Sequence, residues 1–189
     1  QLFYARTFRL PNADRHAFET HQEAFAHDNR RALSGLSPED AQEVALYSAQ
    51  PGVEATARFP STVALAAEGG ETYQVAVVTR DYNPLWSCSI HPSLPLLAVA
   101  TADGLVKLHR FDGELVWQGG QYREETEEGG EAPYPTAVVF DEAANRLLVR
   151  YSDDWVYRLE MDVSRLAERL PEGERGALSE GERRYYGLP

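Results

Sequence analysis

Cysteine, lysine and methionine each occur once in the 189 residues, and no stretch approaches the roughly 18 consecutive apolar residues of a membrane-spanning helix. The single cysteine, Cys88, excludes an internal disulfide framework and cannot by itself build a thiolate zinc site. Positive charge is scarce as well: 18 basic residues stand against 30 acidic ones, a net charge of −12. Such a chain repels a phosphate backbone unless its basic residues cluster, and Arg30-Arg31 and Arg183-Arg184 are isolated pairs, so nucleic acid is not an expected partner. Lys107 is the sole lysine, an arginine-for-lysine skew in keeping with a GC-rich bacterial genome. No Gly-x-Ser-x-Gly elbow, phosphate loop or zinc-peptidase signature is found. No catalytic, cofactor-binding or metal-binding residue is therefore assigned, and the chain is read as non-enzymatic.

What remains is ordinary globular composition, 43% apolar and 25% charged. Leu2-Phe3-Tyr4 follow Gln1 without the basic and apolar regions of a secretory signal, so the expected location is the cytoplasm, with no membrane partner. The absence of an initial methionine sets the expectation of a piece of a longer polypeptide, or of a processed or trimmed one. Tyr4 to Leu10 alternate and fit a short strand or arm. From Ala13 to Leu33 the period is helical, with Phe18 and Phe25 on one stripe. Ser37-Pro38-Glu39-Asp40 has the chemistry of a helix start, predicting a helix to about Tyr47. From Val53 the period becomes two. Thr62–Ala67, Tyr73–Thr79, Trp86–Ile90, Leu96–Thr101, Leu105–Phe111, Glu114–Gln118, Thr136–Phe140, Arg146–Tyr151 and Trp155–Met161 read as strands, with Glu68-Gly69-Gly70, Asp103-Gly104 and Asp112-Gly113 as turns. Residues 119–135 form an acidic loop, whose glutamates lack calcium-loop spacing, and Val163–Leu170 a short helix. The resulting division is a helical segment with a leading strand (1–50), a β region (51–162) and a helical tail (163–189).

The β region repeats. Ile90, Leu96-Leu97 and Asp103 find counterparts in Phe140, Arg146-Leu147 and Asp153 at a constant offset, and Phe59–Asp81 reads as a shorter third copy. The run Ala102-Asp103-Gly104-Leu105-Val106-Lys107-Leu108, with Tyr151-Ser152-Asp153-Asp154 as its partner, resembles the blades of WD40-type β-propellers. The Trp-Asp dipeptide is replaced by His109-Arg110 and Leu159-Glu160. The resemblance implies a mainly β fold: a partial propeller of about three antiparallel blades, preceded by a helical segment. Closed propellers use four to eight blades, so three blades predict exposed apolar flanking faces that something else must cover, with Tyr4–Leu10 as a possible extra strand.

These readings make the chain a non-enzymatic protein–protein interaction module. It would be the sensor or scaffold portion of a larger bacterial protein or complex, in signalling or antiviral defence by resemblance, and its partner another subunit or the rest of its parent chain. Trp86, Trp117, Trp155, Tyr185 and Tyr186 are the candidate interface residues, since exposed aromatics anchor interfaces. Two other readings stay open: a hydrolase fragment using Cys88 with His91 or His109, and a small acidic inhibitory or immunity protein. Against the first, Cys88 reads as a buried strand thiol and His91 as a turn residue. His16 and His21 are five apart, the wrong spacing for a metal pair on one helix face.

Overall fold

The structure, a computed structural model, describes residues 6–9, 25, 28–79, 85–119, 133–141, 146–153 and 156–160. The described residues form three four-stranded antiparallel sheets with a single helical turn, α1 (Arg30–Leu33). The first sheet runs β2 (Glu43–Leu46), β3 (Val53–Arg58), β4 (Thr62–Ala67) and β5 (Thr72–Ala76) in chain order. The second runs β6 (Leu85–Ile90), β7 (Leu96–Thr101), β8 (Val106–Arg110) and β9 (Leu115–Gly119). The third takes β10 (Pro135–Asp141), β11 (Arg146–Tyr151) and β12 (Val156–Glu160) in order, then closes with β1 (Arg6–Arg9) from the start of the chain. Arg6 lies opposite Glu160 and Arg9 opposite Tyr157. The described part of the arm read in Tyr4–Leu10, Arg6–Arg9, thus supplies the fourth strand of the last sheet. This arrangement is compatible with WD40-like blades.

Side-chain period explains the layering. In β7 every residue is buried, because both faces of the second sheet are covered. Its Leu97 and Val99 join Cys88, Ile90 and Phe111 against Val63, Leu65 and Val75 of the first sheet. Its Leu96, Ala98 and Ala100 face Leu147, Val149, Tyr151 and Tyr157 of the third. Each fully buried Leu or Val contributes about 1.5–3 kcal/mol relative to exposure. The second and third sheets are also stitched by backbone: the amides of Val138 and Phe140 on β10 donate to the Ser87 and Ser89 hydroxyls on β6, each at 3.2 Å. Gly104 and Gly113 take the positive φ angles (81° and 92°) that their tight turns require.

The structure corrects three expectations. No helix starts at Ser37. Its hydroxyl does accept the amide of Asp40 at 2.8 Å, as a cap would, but Val44 and Leu46 alternate inward and pair with Ala57 and Ala55, so the segment becomes β2. Local capping chemistry built one turn and the sheet took the rest. The third repeat copy is consequently one strand out of register: Phe59-Pro60-Ser61 joins the second and third strands of its sheet, whereas His91–Pro95 joins the first and second of the next.

The third correction concerns the flanking faces. Sheet one packs on sheet two and sheet two on sheet three, and among the described residues no buried cluster joins the first to the third, so the described sheets form an open row. Yet the outer faces are not bare apolar surface. That of the third sheet (Ala137, Val139, Leu148, Val156) is buried with Phe25, whose ring also sits 4.6 Å beneath the Arg150 guanidinium. That of the first sheet is small and polar. Tyr47, Val78 and Leu115 are the exposed large apolar side chains among the described residues. Most of the helix expected over Ala13–Leu33, the body of the acidic loop and the tail from 163 lie outside the described residues. No helix among those described is long and apolar enough to cross a membrane.

Candidate interaction surface

One broad face of the described sheets stays open. Because β3 alternates, Ala55 and Ala57 point into the core while Glu54, Thr56 and Arg58 point out. The register places Ala45 beside Thr56, Ala64 beside Thr56 and Gln74, and Ala66 beside Glu54 and Thr72. Alanine and threonine therefore make up the centre of the face, and charges stand at its ends. At one end Arg58 pairs with Glu43 at 3.5 Å, with both side chains about half exposed. There a groove of about 320 Å³ is lined by Pro38, Gln42, Glu43, Arg58 and Phe59. At the other end a groove of about 430 Å³ carries Glu54 and Glu68. Small side chains let a second backbone approach closely, and the charged ends give that approach an orientation.

The aromatics singled out in the sequence lie elsewhere. Trp86, half-buried, meets Tyr134 edge-on with ring centres 4.7 Å apart. Trp117, also half-buried, packs on the core between the second and third sheets. Both flank that seam rather than the open face. Trp155, Tyr185 and Tyr186 lie outside the described residues, as do His16, His21 and His27.

Cys88 does not have the setting of a nucleophile. It is fully buried between the first two sheets, and burial pushes its thiol up to about 12, against a smaller downward pull from Asn29. A reactive cysteine needs access and an electropositive neighbour. His91 fills a turn role: its Nδ1 accepts the amides of Ser93 and Leu94 at 3.1 and 3.0 Å. His109 Nδ1 lies 3.3 Å from the Gly113 carbonyl. Neither contact activates a thiol.

Two polar groupings escaped the sequence reading. Lys107 is buried, and its ammonium donates to Asp103 at 3.1 Å and to the Val78 carbonyl of the first sheet's trailing segment. The Thr101 hydroxyl donates to the same carboxylate. A signal existed, since in Val106-Lys107-Leu108-His109 the period of two puts two polar side chains on one face of a strand. Asn29 is buried too, and bonds Tyr47 and Cys88 across the first two sheets. Nothing in its sequence surroundings marks it.

No family model matches the chain, and no curated protein matches it. Among solved structures, the crystal structure of Chaetomium thermophilum Raptor superposes with a TM-score of 0.48 and 19% identity, over 65% of this chain and 12% of that one.

Proposed function

We propose that the chain is a non-enzymatic protein–protein interaction module whose contact surface is the open face of β2–β5. The observation carrying this reading is that face itself: a four-stranded sheet with one side of alanine and threonine left uncovered, with an Arg58–Glu43 ion pair at one end and two glutamates at the other. Four strands by five residues cover roughly 300 Å², well below the roughly 800 Å² per partner of a stable free interface. A partner held nearby by a shared chain or complex needs less, because tethering supplies a high effective concentration. This supports a scaffold or sensor portion of a larger cytoplasmic assembly, the setting implied by the resemblance to bacterial propeller repeats in signalling or defence.

Ala64→Arg tests it. The side chain would project from the middle of the open face, so stability should stay within about 0.5 kcal/mol. Quantitative affinity capture from source-cell extract should show at least tenfold loss of the wild-type partner, while Gln118→Arg on the exposed part of β9 leaves capture unchanged. Equal capture by both variants would rule out this face.

A further inference from the structure

We infer that the middle sheet carries a two-histidine acid latch, in which protonating His91 and His109 releases its grip on the sheets to either side. His91 is held through bonds that only the neutral ring can accept, and His109 has room for a hydrogen on one nitrogen only. His91 Nδ1 already accepts two backbone amides, so a proton placed there would point at two donors. His109 faces the opposite demand: its Nδ1 meets a carbonyl and must carry the hydrogen, leaving Nε2 buried with no hydrogen-bonding partner. An imidazolium would put a second N–H into that dry position. Each residue is only 4% exposed.

Both lie where sheets meet. The His91 ring packs on Phe140 of the third sheet, 4.8 Å between centres. With its amide turned to satisfy both atoms, Gln50 of the β2–β3 turn donates to the carbonyls of His91 and Leu94 at 3.1 and 3.2 Å. His109 pairs with Leu97 in register and so shares the side of the second sheet that covers the first. Among the described residues, the ionisable groups on that side include Lys107 on the same strand, Asp103 that holds it, the buried thiol of Cys88 with the Asp28 charge acting on it, and Tyr73 with Glu71 and Asp112 around Phe111. Beside Phe140, Asp141 pairs with Arg146 at 3.9 Å. Burial holds the His109 imidazole below its ordinary range, the Gly113 carbonyl pulls the other way, and the Lys107 charge adds to the lowering.

The sign follows. Below an unfolded value of about 6.5 the open chain binds a proton that the His109 site refuses, so its contribution to stability is full above that pH and falls as the solution is acidified. By pH 5 the folded-to-unfolded ratio should drop up to about 30-fold on account of His109, if it does not protonate in place.

The test is imidazole NMR of the intact chain from pH 8 to 5, alongside amide exchange corrected for its intrinsic pH dependence. Both rings should keep neutral-form shifts until the protection of β7 and β8 is lost with them. Reversible titration of both rings at or above 6.5 with those amides still protected would overturn the latch. The double variant His91→Asn with His109→Asn keeps an acceptor at the first site and a donor at the second, so its stability should be flat over this range. An acid loss as steep as wild type would also overturn it. Should the double variant not fold, the wild-type titration decides. None of these readouts depends on partner binding.

Discussion

Asp103→Ala should destabilise the chain by about 3 kcal/mol, the low end of the range for stranding one member of a buried pair. Lys107 is 5% exposed as a residue, and removing the carboxylate leaves its ammonium with the Val78 carbonyl as its remaining described partner. The Asp103 side chain is 12% exposed, so water reaches the site in part, which selects the lower figure. Lys107→Met in the Asp103→Ala background should recover most of the loss, because the penalty comes from an uncompensated charge rather than from a missing attraction. Urea unfolding at constant slope measures both. A single-variant loss under about 1 kcal/mol, or no rescue by methionine, would refute the reading. A pH dependence goes with it. Burial raises the Asp103 carboxyl, but the bonds from Thr101, Lys107 and its own backbone amide outweigh that and leave it lowered. Its contribution is therefore present at neutral pH and lost as pH falls through the lowered value. That window lies below the one in which the histidines act, so the two effects separate in a single pH series.

The pairing of Asp103 and Lys107 also shows which parts of the fold were legible in sequence. Thr62–Ala67, Leu96–Thr101 and Arg146–Tyr151 were readable to the residue, since each lies between turn signals and carries an unbroken apolar period. β2 was not readable, because Ser37 and Asp40 make the same hydrogen bond in an isolated turn as at a helix start. Only the pairing of Val44 with Ala57 decides between them, and pairing is a long-range fact. From that one missed strand the misregistered repeat follows directly. The surface was legible in a different sense. Glu54, Thr56 and Arg58 alternate visibly with Ala55 and Ala57, so an outward polar face was there to be read. An unclosed set of blades need not expose apolar flanks: alanine and threonine on one flank are visible in the sequence, while the burial of Phe25 against the other is a long-range contact that no local pattern encodes.

Asn29→Ala should cost about 3 kcal/mol, more than a hundredfold in the folded-to-unfolded ratio, although the residue lies in neither sheet. It stands just before α1, where its side chain leaves the helix uncapped and turns between the sheets instead. Its Oδ1 accepts the Tyr47 amide at 2.6 Å, and its Nδ2 donates to the carbonyls of Tyr47 and Cys88 at 3.0 and 3.1 Å. Tyr47 directly follows β2 and Cys88 lies within β6, so one buried amide joins the first strands of two sheets whose shared interior is otherwise largely apolar. Alanine withdraws all three bonds from backbone groups at a site only 2% exposed, each loss carrying roughly 1 kcal/mol or more. Asn29→Asp separates hydrogen bonding from volume. It preserves an acceptor for Tyr47 but turns a carboxylate toward two carbonyl oxygens, so at neutral pH it should be at least as damaging as alanine. Equilibrium urea unfolding gives the magnitudes, and faster exchange at the Tyr47 amide gives the location. An alanine variant within about 0.5 kcal/mol of wild type would mean that the Asn29 bonds add nothing to the joint between the first two sheets.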